Sequence, residues 1–275
     1  MRFTAAQTGF APRLIEKDYF CTVVLELLAA STAALVFRGG TCLAKVHAEF
    51  YRLSEDLDFV IPTPLDASRS SRSRLAAEAK RAIGTIGHQV AGLRVVTALT
   101  GANDSSQYAA ALGYASLLSG REEPIKVEIG LREPLLEPAT PGEARTLLLD
   151  PIANAPLVPA LRVPCLSRAE AMAEKLRAAL SRREAAVRDF YDVDHAVHRR
   201  SYRVGDPAFL TLVRRKLELP GNSAVDLSKV RLGDLRSQLD TALKPVLRPG
   251  DFASFDLDRA FATVADVATA LDRTP

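Results

Sequence analysis

The chain has 275 residues, 48% of them hydrophobic, and its 36 basic and 33 acidic side chains leave a net charge of +3. That composition excludes a largely disordered protein and leaves room for one large domain or two smaller ones. A nucleic-acid partner is permitted by the charge but not demanded by it. Cys21, Cys42 and Cys165 are odd in number, widely spaced and free of any Cys-x-x-Cys. They argue against a disulfide framework or a zinc site and for a reducing compartment. The N-terminus has no apolar core of signal-peptide type, and the longest weakly polar run, near Leu27 to Phe37, is too short to span a bilayer. A cytoplasmic protein with no membrane partner is therefore expected.

In chain order, Leu14 to Leu28 carries apolar residues on a helical period and predicts a buried helix. An apolar run, Ala34-Leu-Val-Phe37, then enters Gly39-Gly40, and a helix-compatible segment with Leu43, Ala44 and Val46 leaves it. A strand turning into a helix through glycines aims backbone N–H groups at whatever sits above the turn, which suits phosphate. Asp56 and Asp58 are followed at once by Phe59-Val-Ile61, so the aspartates open a strand and share one face of it. Two carboxylates on one face repel unless a cation or proton separates them. Hard oxygen ligands beside a phosphate cradle fit magnesium, with manganese a close substitute. Taken singly, a Gly-Gly pair is most often a tight turn and an Asp-x-Asp a solvated edge.

Ser68 to Arg74 reads as a solvated loop or helix start, and Leu75 to Ile83 as an amphipathic helix. Arg69, Arg72, Arg74, Lys80 and Arg81 could track a nucleic-acid backbone, but more often such residues form a charged outer face. Leu93 to Leu99 and Tyr108 to Leu118 read as strands separated by a turn over 101–106. Pro124-Ile-Lys-Val-Glu-Ile129 alternates strictly, with Lys126 and Glu128 on the polar face. Prolines recur from Pro134 to Pro164, so regular structure there must be short; the stretch is expected to be irregular and a junction.

From Ser167 the pattern becomes helical. Ser167 and Glu170 have capping-box spacing, and helices are expected over 169–180, 185–197, 207–217, 227–243 and 255–271. Asp192, His195 and His198 recur at three-residue intervals, a spacing that suits a metal but more often marks partners of the helix dipole.

Phe37-Arg-Gly-Gly-Thr41 together with Arg52-Leu-Ser-Glu-Asp-Leu-Asp58 resembles the AbiEii/AbiGii toxin family, which includes the MenT toxins and belongs to the polymerase-beta superfamily. Lys175 followed by Arg188-Asp-Phe-Tyr-Asp192 is similar to the second half of that family's pattern. The resemblance implies an α+β fold: a nucleotidyltransferase-type mixed sheet with flanking helices over 1–164, then a helical domain over 165–275 that contributes Lys175 and Asp189 to the site. It implies that Asp56, Asp58 and Glu128 hold metal, and that Gly39, Gly40, Thr41, Arg52, Ser54 and Lys175 contact the nucleotide. Lys175 would hold a triphosphate oxygen as a point charge. Asp189 would orient Lys175 or Arg182, or take a proton from the acceptor hydroxyl. The expected reaction is transfer of a nucleotide from NTP, with a tRNA 3′ end as acceptor and a cognate antitoxin as protein partner. Two other readings are a nucleotide-binding regulatory module and a haloacid-dehalogenase-like phosphatase. The second suits Asp56-Leu-Asp58 poorly, because the apolar strand follows the aspartates instead of leading into them.

Overall fold

The computed structural model describes residues 1–273. It separates into two compact units, Met1–Leu166 and Ser167–Pro275.

The first unit opens with helices α1 (Arg2–Thr8) and α2 (Pro12–Ser31). Pro12 stands in the first turn of α2, where its missing N–H costs no hydrogen bond. Strand β1 (Val36–Arg38) runs into the short helix α3 (Gly39–Cys42), which widens into a π turn over Leu43–His47. Strand β2 (Asp56–Val60), helices α4 (Arg69–Leu75) and α5 (Ala77–Gln89), and strands β3 (Leu93–Ala102), β4 (Gln107–Ala115) and β5 (Glu122–Gly130) follow. Two short strands, β6 (Thr140–Ala144) and β7 (Leu161–Cys165), complete a seven-stranded sheet of order β3-β4-β5-β2-β1-β7-β6.

Strand β2 is central, antiparallel to β1 and parallel to β5. Its odd-numbered side chains, Leu57 and Phe59, point into a core shared with Val127 and Ile129 of β5, Leu25 and Leu28 of α2, and Ile83 and Ile86 of α5. Phe37 lies opposite Phe59 with ring centroids 5.5 Å apart. Each such buried side chain stabilises by about 1.5–3 kcal/mol. The even-numbered side chains, Asp56 and Asp58, are thereby turned to the opposite face.

Buried polar groups fasten this unit. Asp18 of α2 pairs with Lys45 of the π turn at 2.6 Å and accepts the Leu147 N–H at 2.9 Å. Glu16 accepts the Ser116 hydroxyl at 2.6 Å and the Leu117 N–H at 2.7 Å. The Ile15-Glu-Lys-Asp-Tyr19 segment is therefore a set of buried anchors on a packing helix.

Two local expectations change. The proline-rich stretch holds β6 and β7, with Pro141 opposite Pro164. Strand β6 is the sheet margin, where a missing donor facing outward breaks no ladder bond. At the other margin, β3 continues to Ala102, and the turn narrows to 103–106, where Asn103, Asp104 and Ser105 all take left-handed φ of 49°, 53° and 59°. Strand β3 also carries register shifts between Val95 and Thr97 and between Thr97 and Thr100.

The described residues of the second unit form helices: α6 (Arg168–Ser181), α7 (Val187–Arg200), α8 (Pro207–Leu217), α9 (Lys229–Ser237), α10 (Pro249–Ala253) and α11 (Leu257–Arg273). Ser167 caps α6 by accepting the Glu170 N–H at 3.0 Å, while the Glu170 carboxylate meets buried Lys216 at 2.8 Å. The helix expected over 227–243 is interrupted. After α9 come a π turn (Leu239–Leu243) and a 3-10 turn (Lys244–Val246), and Pro245 in the latter cannot resume an α-helix. The fold is α+β, a mixed sheet with flanking helices followed by a helical unit. No helix among the described residues is long and apolar enough to cross a membrane.

Candidate active site

Gly39 takes φ +76°, a conformation that other residues adopt at a cost. A Cβ at Gly39 would lie 2.8 Å from the Cβ and Cγ of Asp58 and closer still to its Oδ2. A Cβ at Gly40 would lie 2.6 Å from Arg52 Nη2 and 3.2 Å from Ser54 Oγ. The glycine turn is thus pressed directly on three candidate residues, and the missing side chains are what allow the approach. Arg52 is buried, and its Nη1 donates to the Leu53 carbonyl at 3.1 Å. Ser54 lies just outside β2, yet its hydroxyl reaches the turn. The Thr41 hydroxyl donates to the Asp56 carbonyl, so what Thr41 offers a phosphate is its backbone N–H.

The register carries the carboxylates. Asp58 pairs with Glu128 and Asp56 with Lys126 across the parallel β2–β5 ladder, so all four share the face away from the core. The next strand places Ala109 beside Glu128 and Ala111 beside Lys126, which leaves this face low and open. Lys126 Nζ stands 2.7 Å from Glu128 Oε1. Its pKa is raised, first by the Glu128 hydrogen bond and further by the charges of Glu128, Asp56 and Asp58, with burial opposing. A cation is therefore already favoured among these three carboxylates, and their oxygens are the donors a hard divalent ion takes. Because Lys126 is 54% exposed, its ammonium is free to swing into water when another cation arrives. The carboxylates are spread along the two strands, and their oxygens do not all fall within 4.8 Å of one another. Arg38, which sequence reasoning did not single out, pairs with Asp58 across β1–β2 and reaches Glu133 at 3.4 Å. Its only sequence signal was its position before the glycines.

In the second unit, Lys175 Nζ sits 2.8 Å from Asp189 Oδ1 and 2.9 Å from Asp192 Oδ2. Asp189 Oδ2 is buried with no hydrogen-bond partner, although Arg182 Nη1 comes within ion-pair range at 3.5 Å. The geometry makes that contact electrostatic only. Asp192, His195 and His198 do not gather as metal ligands among the described residues. Asp192 faces Lys175, and His198 Nδ1 is 3.1 Å from Asp194 Oδ1. His195 has its pKa lowered to about 4, first by burial and then by Arg200.

A mixed sheet whose central Asp-x-Asp strand lies under a glycine turn defines a nucleotidyltransferase fold. The family model described as "Nucleotidyl transferase AbiEii toxin, Type IV TA system" matches residues 25–272, and the chain belongs to that family of nucleotidyltransferases. Among solved structures, the nucleotidyltransferase toxin MenT4 from Mycobacterium tuberculosis superposes with a TM-score of 0.58 at 23% identity, over 93% of this chain and 91% of that one. JHP933 from Helicobacter pylori superposes with a TM-score of 0.54 at 15% identity, over 96% and 94% of the two chains. These likenesses carry the fold. No curated protein matches the chain in sequence.

Proposed function

We propose that the protein is a toxin that transfers a nucleotide from an NTP to an acceptor hydroxyl, dependent on a divalent cation, Mg2+ or Mn2+. The acceptor in this reading is a tRNA 3′ end, and a cognate antitoxin holds the enzyme in check. The observation that carries it is the contact of Gly39 and Gly40 with Asp58, Arg52 and Ser54, which sets an anion-binding turn against a carboxylate face.

Asp56, Asp58 and Glu128 would hold the cation. When bound, it supplies neutralisation of the triphosphate and the departing pyrophosphate, and a lowered pKa for the attacking hydroxyl. The backbone N–H groups of Gly40 and Thr41 bind phosphate oxygens, with Arg52 supplying positive charge behind the turn and the Ser54 hydroxyl a further hydrogen bond. Lys175 holds a triphosphate oxygen as a point charge. Asp189, whose Oδ2 has an unspent acceptor, orients Lys175 or takes the hydroxyl proton.

The test is transfer of label from α-labelled NTPs to purified tRNA, with pyrophosphate release measured in parallel. Asp58→Ala should abolish both while the circular-dichroism spectrum stays unchanged. Periodate-oxidised tRNA, which lacks the terminal diol, should accept nothing. Undiminished labelling of oxidised tRNA would move the acceptor elsewhere, and full activity in Asp58→Ala would remove the carboxylate assignment.

A further inference from the structure

A second constellation lies beneath the glycine turn, away from the carboxylate face. Ligand atoms of Cys42, His47 and Cys165 all fall within 4.8 Å of one another, the one such trio among the described residues. We propose that these three side chains bind one thiolate-preferring divalent cation of the zinc class, and that the bound ion staples β7 to the segment carrying the glycine turn.

The local fold explains how residues so distant in sequence meet. In an α-helix, positions five apart point about 140° away from each other. The π turn over Leu43–His47 has i→i+5 hydrogen bonding, which brings His47 back toward the side of Cys42. Cys165 ends β7, where it pairs with Phe37 of β1, three residues before the glycines' far end at Gly40. Both cysteines are fully buried and form no disulfide, while half-buried His47 leaves a route for an ion to enter.

The donor set selects the ion. Two sulfurs and an imidazole suit zinc, whereas magnesium and calcium take oxygen. The second shell is already in place. His47 Nε2 lies 3.0 Å from the Leu166 carbonyl, which can only accept, so Nε2 carries the hydrogen and Nδ1 keeps the lone pair. The Thr140 hydroxyl, 3.7 Å from Cys165 Sγ, is within hydrogen-bonding reach of that sulfur, and a water would supply the fourth ligand of a tetrahedron. Charge balances as well. A dication held by two thiolates and a neutral imidazole is a neutral group, so burying it carries no net charge penalty.

The mechanical consequence is local. Strand β7 meets β1 through a single register pair, Phe37 with Cys165, extended by the Leu166 N–H donating to the Phe37 carbonyl at 3.0 Å. A metal bridge from Cys165 to Cys42 and His47 would reinforce that thin seam at the point where α3 leaves the glycine turn.

The test uses the reduced, untagged full chain. After incubation with zinc and gel filtration, wild type should retain about one equivalent. With cobalt it should show a thiolate-to-cobalt charge-transfer band and the strong visible bands of a tetrahedral site. Both signals should vanish in Cys42→Ser and Cys165→Ser, weaken in His47→Gln, and persist in Cys21→Ser, which removes a buried cysteine outside the trio. If a serine variant fails to fold, mercurial titration of wild type decides instead, because blocking the thiols should release the bound zinc. Reduced wild type that retains no zinc and gives no cobalt–thiolate band would overturn the proposal. So would a band that survives in folded Cys42→Ser and Cys165→Ser, or zinc that stays bound after the thiols are blocked.

Discussion

Replacing Gly39 by Ala should cost stability through two separable contributions. The first is backbone strain, since φ +76° is left-handed and an L-residue there costs about 1–2 kcal/mol. The second is overlap of the new methyl with the Asp58 side chain, whose Cβ and Cγ lie 2.8 Å from the position it would occupy. Such overpacking typically costs about 1–3 kcal/mol. Urea denaturation of Gly39→Ala should therefore show a loss of about 2–5 kcal/mol, the sum of those contributions. In an Asp58→Gly background, which also removes the Cβ, the overlap disappears and only strain remains, so the double-mutant cycle should return a coupling energy of about 1–3 kcal/mol. Gly40→Ala is the control. Its φ is ordinary and its new methyl meets the tip of the Arg52 side chain, so it should cost less than Gly39→Ala. Nucleotide transfer by Gly39→Ala should fall by about a hundredfold or more, because a carboxylate displaced by an ångström is no longer in position. Additive losses in the double mutant, within about 0.3 kcal/mol, would refute the contact between turn and carboxylate.

Lys175→Ala should destabilise the second unit by about 3 kcal/mol or more, because it strands the buried carboxylates of Asp189 and Asp192; thermal denaturation checks this, and an unchanged midpoint would show that the two carboxylates do not rely on Lys175. The cleaner probe of its role toward NTP is then Lys175→Arg, which keeps the charge and should be scored by NTP affinity. Ser54→Asp should weaken NTP binding at least tenfold in an equilibrium titration, since the added charge sits beside Gly40, whereas Ser54→Ala, which removes one neutral hydrogen bond, should weaken it by about fivefold. His195 is neutral in the fold with its pKa at about 4, while the unfolded chain takes up the proton near the ordinary value of 6.5. Its stabilising effect is thus complete above that ordinary value and is lost as pH falls toward the folded one. After allowance for solvent screening the loss is about 1–2 kcal/mol, and His195→Gln should flatten that limb of a stability-versus-pH curve.

The glycine turn and the Asp-x-Asp strand were legible because each is a local pattern with few alternative conformations. An apolar run into Gly39-Gly40 and a strand opening at Asp56 need no distant partner to be recognised. Glu128 was legible by alternation and resemblance, but only the parallel register with Asp58 shows why it faces the same way. Lys126 read as an ordinary exposed residue on the same strand, and its place among three carboxylates depends wholly on that register. Strands β6 and β7 were missed because prolines argue against strands unless the absent donor falls where no ladder bond is needed, and that placement is a property of the finished sheet. The meeting of two cysteines was hidden for a similar reason. Zinc-ligand spacing is recognisable when ligands lie close in sequence, whereas Cys165 reaches Cys42 only through the pairing of β7 with β1.

The two margins of the sheet have a consequence for how the molecule behaves in a crowded solution. An unprotected edge strand offers a row of donors and acceptors to any extended peptide that drifts past, and so invites fibrous self-association. At one margin Pro141 withholds a donor from that row, and its neighbour Pro164 leaves the pair with none to share. At the other, the register shifts along β3 bend and twist a strand that would otherwise present a long flat template. Both devices work against the sheet recruiting further copies of itself through an added strand.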